Sequence, residues 1–565
     1  MSKDGRSVEP VGSKVASPAI RASRGFESER LLSSVSASRP IETEMCEPRE
    51  NHLVWLHRTI WLVVGLLCFR LIYAWFVPLD LVHDEAYYWD WSRQLDWGYY
   101  SKPPMIAWLI AAATSLGGSS AFVVRVPAVL LGTLSLVWMY LLASSYYGRR
   151  AGFWTACLSA ATPGNAALSL LMTIDAPFLF CWSGALYSFW RLLQTDDRRL
   201  RWLIASTLFV GFGVLSKQTM LAFPVLALLF VLSSREDRRE LFRAPLWIWI
   251  CGSVAFLTPV LWWNSQHGWI TAQHTGGHFS GQSATVWRQA ARCLEFVAGQ
   301  LGVVSPVTCF LTLAVAVAAL LSFRSQGRRE RYLLCFSAIP LAGIFALSTL
   351  RRVEPNWPAP FYPAALVLLV GLAMQRFRVP RLTGITTSTL ARATTVGCIS
   401  AAIAYSAPFG CGLQGTRWDP AVRLRGWKEV GAAVADRFST LPSPDRSFVL
   451  VTSGRAVASE LAFYMPQQPR VYLWTAGSEV LSQYDIWEGP SDKQNWDALI
   501  VTEAGKDAPS EVRNAFSFLE DRGQIDIPVG GDRHHRYQLW RGVRLSEWPD
   551  TRTTIARVRA KSELR

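Results

Sequence analysis

The sequence lacks the signatures of several common protein classes. Its ten cysteines are scattered, most of them inside apolar runs, and no two form a C-x-x-C pair. That argues against a disulfide framework or a zinc module and leaves small core residues. Charged residues make up only 18% of the chain against 50% apolar, below the average of soluble proteins. No internal repeat is visible, and the region after residue 410 contains neither a P-loop nor a dinucleotide fingerprint. Residues 1–52 are poor in aromatics and show no apolar periodicity, so a disordered cytoplasmic tail is expected there. No signal-peptide layout is expected either, because the first apolar run starts after residue 52 and is too long for an h-region.

What the chain does have is a series of long apolar runs separated by short arginine clusters. The net charge of +15 would also suit a nucleic-acid partner. The clustering between apolar runs is instead what the positive-inside rule produces. The expected spans are Ile60–Leu79, Ala121–Tyr147, Phe153–Met172, Ala176–Leu193, Trp202–Ser216, Met220–Leu232, Leu246–Trp263, Val303–Phe323, Tyr332–Thr349, Phe361–Met374 and Thr394–Pro408. Met105–Leu116 is too short to span and reads as an interfacial helix, and 264–300 reads as a long polar outer loop. Turns placed inside carry arginine clusters such as Arg149/Arg150 and Arg235/Arg238/Arg239/Arg243, whereas the outer segments carry acids. The fold class expected is a polytopic α-helical membrane protein of about eleven spans, N-terminus inside and C-terminus outside. A transmembrane unit covers 53–409. A periplasmic α/β domain covers 410–565, with helices at Trp427–Phe438 and Val457–Tyr464 and strands at Ser447–Thr452, Arg470–Trp474 and Trp496–Val501.

The chemistry-bearing stretch is His83–Pro104, HDEAYYWDWSRQLDWGYYSKPP. Read as a helix, Asp84, Tyr87, Tyr88 and Trp91 fall at i, i+3, i+4 and i+7, which places a carboxylate beside an aromatic wall. Trp and Tyr favour the headgroup level, so the stretch reads as an active-site loop at a membrane surface. The same topology gathers Glu85, Lys102, Asp175, Lys217, Arg351, Arg352, Glu354 and Asn356 on the outer side. Carboxylates with cations suit transfer from a lipid phosphate: one deprotonates an acceptor hydroxyl while the others hold the leaving phosphate. Each residue also has a plainer reading. Asp175 before Ala176-Pro177 makes a good helix N-cap, and Lys217 a snorkelling anchor. Most of the tyrosines and tryptophans are interface belt, with Tyr87 and Tyr88 as candidates to meet a sugar. His267, His274 and His278 are candidate ligands of a divalent metal ion, against the commoner case of exposed loop histidines. Arg351 and Arg352 run against the charge trend of outer segments, and a structural role does not need the Asp84–Glu85 pair.

At HDEAYYWDWSRQLDWGYYSKPPMIAWL (83–109), TIDAPFLFCW (173–182), GFGVLSKQTML (211–221) and VEPNWPAPFYP (353–363) the chain resembles a known group. This is the bacterial branch of the dolichyl-phosphate-mannose protein O-mannosyltransferase family. The branch includes the lipid A aminoarabinose transferase and the rhizobial galacturonosyltransferases of lipopolysaccharide. The resemblance covers roughly 55–410 and implies a GT-C fold with a polyprenyl-phosphate-sugar donor. It implies that Asp84 is the catalytic acid of the first outer loop with Glu85 its neighbour, that Lys102 meets the donor phosphate, and that Asp175 is the second acid. The chain departs at Ser101, where the aminoarabinose transferase has an acid, which weighs against an aminoarabinose donor and against a bound metal.

The expected function is therefore an inverting glycosyltransferase of the bacterial inner membrane, working on the periplasmic side. It would move galacturonic acid or a similar sugar from a polyprenyl phosphate to lipid A or lipopolysaccharide core, with no nucleic-acid partner. Asp84 would take the acceptor proton, and Lys102, Arg351 and Lys217 would hold the phosphate. Asp175 would orient Asp84's partner or help bind a divalent ion. The alternatives are a protein O-mannosyltransferase-like enzyme and a carrier of lipid-linked glycans. A carrier would place its charges near the midplane between repeated halves, whereas here the acids map to outer helix ends.

Overall fold

The computed structural model describes residues 52–194, 198–277, 285–380, 382–410, 416, 419, 421–477 and 479–548. Apolar runs fold as helices because a helix satisfies its own backbone where no water is available. Among the described residues, five helices are long and apolar enough to cross a membrane: Leu53–Phe76, Ala121–Tyr147, Arg199–Ser216, Ala244–Gln266 and Arg328–Leu350. A bent pair, Val286–Val304 with Pro306–Leu321, makes a sixth if taken as one span; its halves meet at 113°. The bend falls at Ser305, where φ is +73°, because a residue before proline is pushed out of the helical region. Met105–Gly117, Gln218–Ser233 and Ala359–Ala373 are shorter apolar helices.

Two sequence expectations change here. The run Phe153–Met172 is not one helix but Arg149–Ala160 followed by Pro163–Leu168. Thr162 Oγ1 accepts the Asn165 N–H (3.2 Å) and Pro163 takes the first helical position, so a new helix starts mid-run. The segment 264–300 is not a loop, since it contains Ile270–Gly277 and most of Val286–Val304. Phe296, Gln300 and Val304 are its buried face, while Val286, Trp287 and Leu294 are exposed.

Asp175–Leu192 is the central helix, buried on nearly every side, with Trp182, Phe189 and Trp190 in the main core. It runs against Arg199–Ser216, and Gly184 allows the approach: a Cβ there would sit 2.5 Å from the Phe209 ring. Arg70, the intramembrane charge, is buried and donates to Tyr405 Oη (3.3 Å), Thr133 Oγ1 (3.0 Å) and Asn165 Oδ1 (2.5 Å). The polar partners that a buried arginine requires are thus present.

The C-terminal part is an α/β unit around one five-stranded sheet, β1 (Ser447–Val451), β2 (Val471–Leu473), β3 (Asp497–Glu503), β4 (Phe516–Gly530) and β5 (Arg533–Leu545), in the order β2-β1-β3-β5-β4. The first three are parallel, short and apolar, as strands covered on both faces must be. The last two form a long antiparallel hairpin. This unit sits on the helix His83–Ser92, whose Tyr87, Trp89 and Trp91 share a core with Leu461 and Phe463. Polar ties add register: Tyr464 Oη accepts the Leu81 N–H (2.7 Å), Tyr87 Oη accepts the Gln483 N–H (2.5 Å), and Tyr484 Oη donates to Asp90 (2.7 Å).

Candidate active site

Four helix ends meet around one open cavity of about 790 Å³. Asp84 comes from the first turn of His83–Ser92, and Asp175 opens Asp175–Leu192. Lys217 closes Arg199–Ser216, and Arg351 closes Ala338–Leu350. Carboxylates at helix starts are favoured by the backbone dipole. Lys102 arrives by a loop folded back on the first helix: the Tyr99 ring stacks on Trp91 at 4.4 Å, and the Tyr99 N–H donates to the Lys102 carbonyl (3.2 Å). Tyr88, Arg352, Glu354 and Asn356 complete the set of expected residues on the lining.

The charges are distributed unevenly. Asp175 is buried, and its two oxygens are both taken, by Lys217 Nζ (2.7 Å) and Asn356 Nδ2 (2.8 Å). This replaces the cap reading of Asp175, since Ile174 holds the cap position, and it replaces the snorkelling reading of Lys217. Arg352 pairs with Glu295 at the surface (2.7 Å). Arg351 has Nε and Nη1 buried without a hydrogen-bond partner among the described residues, and Lys102 makes no ion pair among them. Burial pushes the Lys102 ammonium below its usual range, and the nearby Lys217 charge adds to this against Asp175 and Asp84. Lys102 and Arg351 thus line the cavity without an ion pair among the described residues, an arrangement that an anionic ligand favours.

Two expected residues stand away from the cavity. Glu85 is completely buried and accepts from Arg125 Nη2 (2.9 Å), the Met172 N–H (2.7 Å) and the Val82 N–H (3.0 Å). Its carboxylate clamps the helix start and has no face left for a substrate. Tyr87 is buried under the C-terminal unit with its hydroxyl on Gln483. One residue was missed: Arg455 of the C-terminal unit donates to Asp84 Oδ1 (3.1 Å) and lies 4.7 Å above the Tyr87 ring. Nothing local marks it, because 371 residues separate the partners.

The residues do not fit a bound metal ion. Both Asp175 oxygens face nitrogen donors, Asp84 faces a guanidinium, and no three His, Cys, Asp or Glu side chains converge among the described residues. His267 stacks on Trp263 at 4.0 Å and turns Nδ1 to its carbonyl, while His274 lies against Tyr100. His278 lies outside the described residues.

Comparison with known proteins adds to this geometry. A family model described as dolichyl-phosphate-mannose-protein mannosyltransferase matches residues 101–263. The lipid A galacturonosyltransferase RgtD of Rhizobium johnstonii is 33% identical over 335 residues, 58% of this chain and 66% of that protein. The lipopolysaccharide core galacturonosyltransferase RgtA of the same organism is 28% identical over 391 residues, 62% of this chain and 71% of that protein. The crystal structure of ArnT from Cupriavidus metallidurans bound to undecaprenyl phosphate superposes with a TM-score of 0.57 at 17% identity, covering 87% of this chain and 98% of that one. The chain is thus similar to these transferases over part of its length and shares the fold of ArnT. Its match to RgtD leaves about a third of that relative uncovered. The stretch matched by the family model holds Lys102, Asp175 and Lys217, whereas Asp84 and Arg351 lie outside it.

Proposed function

We propose that this chain is an inverting glycosyltransferase that moves a uronic acid, galacturonic acid or a close relative, from a polyprenyl phosphate to lipid A or the lipopolysaccharide core. The observation that carries the reading is the meeting on one cavity of Asp84 with Lys102 and Arg351, neither of them in an ion pair among the described residues. Kinship with two galacturonosyltransferases supports the sugar and acceptor. In this reading Lys102 and Arg351 hold the donor phosphate. Asp84 accepts the proton of an acceptor hydroxyl as that oxygen attacks the anomeric carbon. The new C–O bond forms while the bond from that carbon to the phosphate oxygen breaks, and the electron pair leaves with polyprenyl phosphate. The two cations stabilise the charge that develops there. Asp175 touches neither partner; tied to Lys217 and Asn356, it fixes the wall on which the phosphate rests. No step runs through a metal.

The proposal includes the setting. The cavity lies on the periplasmic face of the inner membrane, and the shorter apolar helices complete about eleven crossings with the arginine clusters inside. Asp84→Asn in purified full-length protein is expected to lower transfer from a polyprenyl-phosphate donor by about 10²- to 10⁴-fold. Undiminished transfer would remove Asp84 from the chemistry.

A further inference from the structure

Among the described residues, Arg455 is the charged group of the C-terminal unit that bonds Asp84, and its position is built rather than incidental. It opens the helix Arg455–Tyr464, whose far end is tied to the segment just before His83–Ser92 by the Tyr464 hydroxyl on the Leu81 N–H (2.7 Å). Ser459, one turn along, donates to the His83 carbonyl (3.4 Å). The guanidinium then lies over the Tyr87 ring (4.7 Å) and donates to Asp84 (3.1 Å). An ordinary surface ion pair has none of this support.

In its present place Arg455 works against the proposed chemistry. The guanidinium occupies Asp84 Oδ1, one of the two oxygens that could take the acceptor proton. Both oxygens become free when another anion takes the guanidinium. The sugar itself brings such a group to this spot. With the donor phosphate on Lys102 and Arg351 and the anomeric carbon beside Asp84, a substituent on the far side of the pyranose ring would come within reach of Arg455, which lies 3.1 Å from Asp84. Arginine's planar fork matches a carboxylate, the group it already holds.

We propose that Arg455 is a specificity-determining residue that receives the carboxylate of a uronosyl donor and in doing so releases Asp84. This rests on the reading of the chain as a uronosyltransferase and adds the device by which it rejects neutral sugars. A neutral hexosyl donor leaves the Asp84–Arg455 pair intact and the base masked. The acid on the sugar unmasks it, so only the correct donor meets an active base.

The test uses full-length protein in nanodiscs with lipid A as acceptor. Two donors are compared, polyprenyl-phosphate galacturonic acid and polyprenyl-phosphate galactose, which differ only at C6. The wild type is expected to prefer the uronosyl donor, and Arg455→Met to lower the ratio of kcat/KM for the two donors by about 10- to 100-fold, the usual worth of a hydrogen bond to a charged group. Arg455→Lys, which keeps the charge and loses the fork, is expected to fall between them and serves if the methionine variant does not fold. An unchanged ratio in both variants overturns the inference, as does an equal loss for both donors. A loss seen with phosphorylated lipid A but absent with the dephosphorylated acceptor also overturns it, by assigning Arg455 to the acceptor. A wild type that transfers both sugars equally refutes the specificity role while leaving the transferase reading standing. A wild type that transfers neither removes both.

Discussion

Asp84 and Glu85 are neighbours in the chain with opposite surroundings. Asp84 is nearly half exposed on the cavity, and Glu85 is sealed against Arg125. The two should separate in experiment. Glu85→Gln leaves the Arg125 charge buried without its partner, so it is expected to cost about 3–5 kcal/mol of stability, read as a lower melting temperature. Asp84→Asn removes an exposed pair worth about 0–1 kcal/mol and should melt close to wild type while losing transfer. Lys102 supplies a pH test. Burial places its pKa below that of a free lysine, so as pH rises it loses its proton, and with it donor affinity, earlier than an ordinary lysine would. The KM for donor should therefore climb on the alkaline side, and Lys102→Arg should move that limb to higher pH, as a pH profile of KM will register. The acid pair, Lys102, Asp175 and Lys217 were all legible in the sequence as chemistry-bearing types at outer helix ends. Asp84 was already singled out by the helical stripe and the resemblance; the burial of Glu85 was not legible, because Arg125 and the Met172 backbone reach it only through the tertiary fold.

The helix His83–Ser92 is the element on which membrane part and C-terminal unit converge. Beneath it Glu460 is buried with neither oxygen hydrogen-bonded, 4.0 Å from His83 Nδ1 and near Asp80, Glu85 and Arg125. Burial pushes the Glu460 carboxyl well above its usual range, and Asp80 and Glu85 push the same way against Arg125. The folded chain thus keeps a proton that the unfolded chain releases. That contribution to stability is fully present below the ordinary carboxylate pKa and is lost as pH rises towards the folded value. Glu460→Gln should raise the melting temperature at about pH 8 and change it little at about pH 5, as melts at the two pH values will register. Elements with a strong apolar period were read close to their true bounds; Ala121–Tyr147 agrees at both ends. The hairpin β4–β5 escaped, because β4 is largely exposed, both strands carry many charged residues without a regular alternation, and the Gly530-Gly531-Asp532 turn alone was too little to mark it. Val286–Val304 escaped although it is amphipathic, because the polar, glycine-bearing stretch before it hides where it starts.

At the scale of the whole molecule, charge separates along the helix axes. Asp175 and Lys217 meet at one end of the antiparallel pair Asp175–Leu192 and Arg199–Ser216, while Arg199 with Glu240 and Arg328 with Asp237 cluster at the other. The proposed orientation gives opposite accessibility to two exposed serines. On a cysteine-free background, Ser439→Cys in the C-terminal unit should react with a membrane-impermeant maleimide in spheroplasts. Ser325→Cys, among the arginines, should react only after permeabilisation; the reverse pattern would invert the topology.

The grip of Lys217 and Asn356 on Asp175 has a mechanical consequence. One carboxylate ties together the start of one helix, the end of a second and the loop that follows a third. Pulling any of these apart breaks a charged hydrogen bond, so the three ends travel as one rigid corner. Any widening of the cavity that keeps these two bonds falls to the rim away from that corner, as a door moves on the side away from its hinge.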